Sequence, residues 1–355
     1  MDCSGISWVL GGVLSWRLIW VLGGGVGVLL RVAIIHTYEV IGITIIRFFA
    51  ELCPVKHYPG KLLLFGEHVL LIGAPALAAP VPAFSGYWKQ TSGQPCRQPI
   101  PAGFIRSEGL RKAGIDVDHF EADLQSGWCF ESNIPIGYGL GSSGALCAAV
   151  YDRYAGRKAA DLSRLKTIFS GMESWFHGQS SGIDPLTSYM NRPLRIDRQT
   201  EVAFFEGAPW RAAAPVVFLL DSGLPRQTGP LVRWFLEQQQ TENFGDMLRS
   251  AYLPEHDRVM ASWKQADAAA FWKAVKAVSG LQLAHFHPMI PATHRDIWTN
   301  SLDNPDVALK ICGAGGGGFT LGFARTRAAA IETASSFSIL FPFDNTTAYD
   351  EQQPF

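Results

Sequence analysis

The 355-residue sequence predicts an α+β protein of two domains, and three observations carry that reading. The length suffices for two modest domains or one large one, with ample core. Short apolar runs of strand length, such as residues 62–65 and 216–221, alternate with longer stretches whose apolar residues recur at helical spacing. Glycine-rich loops stand at the junctions between them. The 30 Lys and Arg nearly balance 31 Asp and Glu, which argues against nucleic acid as a partner, because phosphate-backbone binding calls for a basic excess or stripe. The cysteines Cys3, Cys53, Cys96, Cys129, Cys147 and Cys312 form no CxxC pair. They read as reduced, mostly buried thiols rather than a zinc site or a disulfide frame.

Residues 1–55 are set apart by their wealth of Trp, Val, Leu, Ile and Gly. A membrane anchor needs about 20 consecutive apolar residues, and the uncharged run 18–30 is shorter and carries four glycines. Extending it through Arg17 would place a cation in the bilayer at roughly 3 kcal/mol. A secretory signal lacks its basic N-terminal region and small-x-small cleavage site. The favoured reading is an extension outside the native fold, such as one from an upstream start codon, with membrane contact by residues 1–55 second.

From His57 on, residues 62–65 form a buried strand, Gly66-Glu67-His68 a turn, and residues 69–72 with 75–81 a returning strand pair. Residues 90–101, rich in Gly, Pro and Gln, make a surface loop; residues 105–112 are helical, and 128–133 is a strand. That strand delivers the run IPIGYGLGSSGA at 134–145. Ala145, Ala148, Ala149 and Val150 follow at helical spacing, so Ser142 and Ser143 sit at a helix N-terminus. Unpaired amides and the helix dipole there attract an anion, and glycine lets the backbone approach phosphate oxygens closely. No Lys-Ser or Lys-Thr follows, as a Walker loop requires, and the loop is not read as a dinucleotide turn.

Residues 161–176 have helical spacing, with Glu173 near the end. Residues 179–185 are a polar turn with Asp184 at its apex; alone, these acids would read as a solvated glutamate and an ordinary Asp-Pro turn. Residues 193–205 close the first domain and the apolar strand 216–221 opens the second. Helices are expected at 231–244 and 266–283. His285, His287 and His294 lack a Cys or carboxylate at ligand spacing and are expected to line a pocket rather than bind metal. Residues 308–311, a glycine run and 319–323 form strand, loop and strand, and 327–337 is the last helix.

Three stretches in fixed order resemble the motifs of the GHMP kinases, the superfamily of galactokinase, homoserine kinase, mevalonate kinase and phosphomevalonate kinase. They are PGKLLLFGEH at 59–68, PIGYGLGSSGA at 135–145 and KICGAGGGGF at 310–319. The resemblance implies a ribosomal-S5-like N-terminal domain with a left-handed crossover over 56–205 and a ferredoxin-like C-terminal domain over 206–355. It implies ATP and Mg2+ as cofactors. Pro135, Gly137, Gly139, Leu140, Gly141, Ser142, Ser143 and Gly144 would hold the ATP phosphates, and Ser143 and Glu173 the Mg2+. Asp184 would be the catalytic carboxylate and Lys61 its partner, an ammonium that keeps the acid ionised and steadies a developing alkoxide. Glu67 and His68 would be mainly a structural turn beside the substrate pocket. His68, Arg226, Thr228, Gly313, Ala314, Gly315 and Gly316 would face the substrate.

The continuation VLLIGAPALA at 69–78 and the Pro-Arg-x-Thr turn at 225–228 are similar to the mevalonate-type members, which makes mevalonate the leading acceptor, its carboxylate paired with Arg226 or His68. Departures are Gly144 where alanine is frequent, Asp184-Pro185 in place of Asp-Asn or Asp-Gln, and a short stretch between the first two motifs. Another acceptor (phosphomevalonate, homoserine or a sugar) and a non-catalytic nucleotide-binding regulator are the alternatives. Intact Lys61, Ser143, Glu173 and Asp184 speak against the regulator. The implied protein is cytoplasmic, a monomer or homodimer.

Overall fold

Two antiparallel sheets and the helices packed on them position every residue of interest. The structure, a computed structural model, describes residues 55–344 except 92–95, 97, 198–200, 209, 211–213 and 227, and before residue 55 only the backbone of four strands. These are β1 (Ser7–Val9), β2 (Leu14–Val21), β3 (Arg31–Val40) and β4 (Ile43–Ala50), an antiparallel meander. They belong to a compact unit, Met1–Lys56, separate from a second, His57–Phe355. Among the described residues no helix is long and apolar enough to cross a membrane.

The second unit starts with β5 (His57–Phe65) and β6 (Ala76–Gln90), joined by a 3-10 turn, Val69–Ile72. β6 is long enough to serve three partners. It pairs with β5, its C-terminal end with β7 (Trp128–Ser132), and its N-terminal end with β8 (Leu194–Asp197), which pairs with β9 (Glu201–Phe204). The short helices α1 (Ala102–Ile105), α2 (Glu108–Lys112) and α3 (Val117–Gln125) connect β6 to β7. Helix α4 (Ser142–Tyr154) follows the loop after β7 and packs on β5, α5 (Leu162–His177) and α6 (Ile183–Met190). Its small residues Gly144, Ala145, Ala148 and Ala149 are buried, so neighbouring helices approach closely.

The other sheet runs β11-β12-β10-β13, from β10 (Val216–Asp221), β11 (Val307–Ile311), β12 (Phe319–Ala324) and β13 (Ile339–Leu340). Every residue of β11 and β12 is buried, as expected of strands covered on both faces. Helices α10 (Ala268–His285), α11 (Arg295–Asp303) and α12 (Arg327–Ala334) pack on this sheet, and α7 (Thr228–Gln238), α8 (Glu242–Met247) and α9 (Leu253–Gln265) complete this half of the chain. One hydrophobic core joins the two sheets. At its centre Phe65 of β5 stacks on Phe323 of β12 with ring centroids 5.7 Å apart.

Several local expectations change. Residues 69–72 are not a strand: Gly73 adopts φ 91° and Leu70 N–H donates to Gly66 O, closing the segment on itself. The helix expected over 231–244 stops at Gln238 and restarts at Glu242. The polar turn at 179–185 runs into α6, with Pro185 in its first turn, where the missing N–H costs no hydrogen bond. The expectation of free thiols fails for one pair: Cys96 and Cys129 form a disulfide, Cα atoms 5.8 Å apart. Cys129 lies on β7 next to the β6 end from which the 91–101 segment departs, a proximity that their separation of 33 residues conceals. Cys147 and Cys312 are free and buried.

Candidate active site

The loop at 134–141 is held to β5 through its backbone: Lys61 N–H donates to Leu140 O at 2.7 Å. Gly60 permits this approach, because a Cβ there would lie 2.8 Å from the same oxygen. Gly137, Gly139 and Gly141 all take positive φ, from 74° to 83°, a conformation that L side chains resist. The loop turns into α4 at Ser142, leaving the helix N-terminus open to a cleft of about 500 Å³. Pro135, Gly137, Gly139, Gly141, Ser142, Ser143, Asp184, Arg226 and Thr228 line that cleft. Its other wall is apolar, with Ile100, Pro101, Phe130, Ile136, Leu146 and Phe176.

Asp184 arrives at the loop from the first turn of α6. Its Oδ1 lies 2.5 Å from Lys61 Nζ, and a Cβ on Gly141 would sit 3.4 Å from Oδ2, so the pair stands directly beneath the phosphate loop. Gly144 is explained by the same approach. A Cβ there would fall 2.8 Å from both the Asp184 carbonyl carbon and Pro185 N, so the alanine frequent at this position does not fit beside Asp-Pro.

Glu173, buried on α5, accepts the Ser143 hydroxyl at Oε1 (3.1 Å) and the Ser180 hydroxyl at Oε2. Burial, with the nearby Asp184 charge, pushes its pKa up from 4.5 to about 7. A carboxylate that is costly to ionise without a compensating charge, paired with a hydroxyl at a phosphate loop, is the oxygen donor set that suits Mg2+. Among the described residues no group of three or more His, Cys, Asp or Glu could hold a metal by itself.

His68 and the third glycine loop form a second cluster. His68 is buried at φ 62°, and its Nε2 lies 3.0 Å from Ala314 O. Burial drives its pKa from 6.5 down to about 4, so the ring is neutral at physiological pH, donates to that carbonyl and clamps the first motif to the third. Beside it, Glu67 and Lys310 form an ion pair of 2.5 Å at about 2% exposure, across 243 residues of chain. The guanidinium of Arg226 occupies the space where a Cβ on Gly139 or Gly313 would project. Gly315 and Gly316 instead let backbone pass Met289 and Leu231, with Gly316 N–H donating to Met289 O at 2.7 Å. His68, Glu173, Lys61 and residues 313–316 stand behind the cleft rather than on its lining.

Two participants escaped the sequence. His177 lines the cleft with Nε2 3.0 Å from Ser143 Oγ; its spacing of four from Glu173 on a helix was the available signal. Lys310 carried no local sign of its partner. His294, expected in a pocket, is buried with Nδ1 2.8 Å from Thr320 Oγ1.

The chain is similar to known kinases in sequence and in fold. Residues 107–192 match the family model described as the GHMP kinases N terminal domain. A mevalonate kinase of Thermococcus sibiricus is 26% identical over 314 residues, spanning 78% of this chain and 90% of that protein. Among solved structures, the Methanococcus jannaschii mevalonate kinase superposes with a TM-score of 0.59 at 18% identity, covering 81% of this chain and 96% of that one. An L. major mevalonate kinase in complex with R-mevalonate gives 0.58 at 17%, covering 82% and 97%. These two likenesses concern the fold. The family model falls on the stretch that builds the phosphate loop, α4 and Asp184, so the chain is similar to the GHMP kinases there and, through its mevalonate kinase relatives, to phosphotransferases with an alcohol group as acceptor over most of its length.

Proposed function

We propose that this kinase transfers the γ-phosphoryl group of ATP to mevalonate, giving 5-phosphomevalonate, and that residues 56–205 and 206–355 are its two lobes. The observation that carries the mechanism is the Lys61–Asp184 pair beneath the open N-terminus of α4. The amides of the glycine loop and of α4 receive the triphosphate. Asp184 is tied to Lys61 through Oδ1, and its Oδ2 accepts the acceptor's hydroxyl proton while the ammonium steadies the oxygen that attacks phosphorus. Alignment of the two reactants supplies more of the rate than proton removal does. Ser143 and Glu173 would hold Mg2+, which offsets phosphate charge when bound. The apolar wall of Ile100, Phe130 and Phe176 suits the nucleotide base. Neutral His68 is a poor partner for the mevalonate carboxylate, which falls to Arg226. The mevalonate kinase relatives favour mevalonate over the other acceptors.

The test is ADP release by the full chain with Mg2+ and ATP against mevalonate, phosphomevalonate, homoserine and galactose. Turnover with mevalonate at least a hundredfold above the others is expected. Preference for another acceptor overturns the substrate and keeps the chemistry; no turnover with any, alongside ATP binding, overturns the catalytic reading.

A further inference from the structure

The Ser143 hydroxyl has one proton and two neighbours: Glu173 Oε1 at 3.1 Å and His177 Nε2 at 3.0 Å. In the ionised form, the one that would hold a cation, Glu173 only accepts, so the Ser143 proton then goes to Glu173, whose other oxygen already receives Ser180. The contact with His177 then requires a proton on Nε2, donated to Ser143 Oγ. A serine oxygen has two lone pairs; this arrangement uses one and leaves one for a cation. Glu173 and His177 lie one turn apart on the same face of α5, so a single helix delivers both partners, and rotation of Ser143 about its side-chain torsion would break both bonds.

We propose that His177 is a positioning residue for phosphoryl transfer: its Nε2–H fixes the Ser143 hydroxyl so that serine and Glu173 together present oxygen to the divalent cation of the nucleotide. The inference rests on the kinase reading above. It assigns His177 no contact with the substrate, only with the serine that it orients. Removing an outer partner of a metal ligand typically lowers metal affinity or activity ten- to a hundredfold, and that range is expected here.

The experiment measures ATP binding to the full chain by titration calorimetry, with Mg2+ and with EDTA, for wild type, His177→Ala and His177→Gln, with melting temperatures alongside. Gln carries an amide N–H near the position of Nε2. Expected are a ten- to hundredfold weaker affinity for ATP with Mg2+ in the Ala variant, unchanged affinity in EDTA, an unchanged melting temperature and recovery of most of the loss by Gln. The Mg2+ concentration for half-maximal turnover rises by the same factor while KM for the acceptor stays put. An equal loss in EDTA overturns the proposal by showing direct contact with phosphate, and an Ala variant binding like wild type, or a Gln variant no better than Ala, overturns it as well. A wild-type chain that fails to bind ATP with Mg2+ overturns the kinase reading itself.

Discussion

Replacing Gly144 by alanine sets two effects against each other. Inside a helix alanine is favoured over glycine by about 1 kcal/mol, so propensity alone predicts a more stable α4. The added Cβ, however, would stand 2.8 Å from the Asp184 carbonyl carbon, 2.8 Å from Pro185 N and 2.9 Å from Asp184 Cβ. The first two are backbone atoms, which no rotamer moves, so α4 and α6 must separate by several tenths of an ångström. Overpacking of this kind costs about 1–3 kcal/mol, enough to cancel the propensity gain and leave a net loss of up to about 2 kcal/mol. At roughly 2–4 °C per kcal/mol for a domain of this size, the melting temperature falls by up to about 8 °C. Function suffers more, because Asp184 moves with α6 away from Lys61, and a misplacement of about 1 Å at a reacting centre costs on the order of a hundredfold. Thermal melts and steady-state turnover of the Gly144→Ala variant measure both. A variant with wild-type turnover and a melting temperature at or above wild type would refute the view that glycine sets the spacing of these helices.

Three further outcomes are expected. The raised pKa of Glu173 means that stability contributed by its protonated form is intact below pH 4.5 and lost as pH rises to about 7, roughly 3 kcal/mol at 1.36 per pH unit; Glu173→Gln flattens this slope in denaturant titrations of the metal-free protein while abolishing turnover, and an unchanged slope refutes the assignment. Lys310→Met leaves Glu67 buried without its partner and destabilises by about 3–5 kcal/mol, whereas the double variant with Glu67→Gln recovers most of it in urea unfolding; no recovery would show that packing, not the stranded charge, sets the loss. Cys96→Ser opens a loop of 33 residues and costs about 4 kcal/mol by the loop-entropy relation, a loss that dithiothreitol reproduces in wild type; a melting temperature indifferent to both would argue against the bridge.

The parts of the site legible in the sequence are those in which one short segment does the whole task. Glycines at 137, 139 and 141 encode a backbone with positive φ, and the small residues after Ser143 encode the helix that this backbone opens. Lys61 stands in the first motif and Asp184 in a polar turn whose role only the resemblance implies, and their 2.5 Å contact needed the fold, because the two arrive on β5 and α6. Residues 69–72 read as a strand on composition alone, since their apolar character is the same in a 3-10 turn. Tertiary structure alone decided that Lys310 meets Glu67, that His177 meets Ser143, that Cys96 meets Cys129 and that His68 is a neutral clamp. The reason is physical. Torsional preference and hydrophobic period act between near neighbours and can be read from a short stretch of chain, whereas desolvation and the pairing of buried polar groups depend on which distant segments exclude water together.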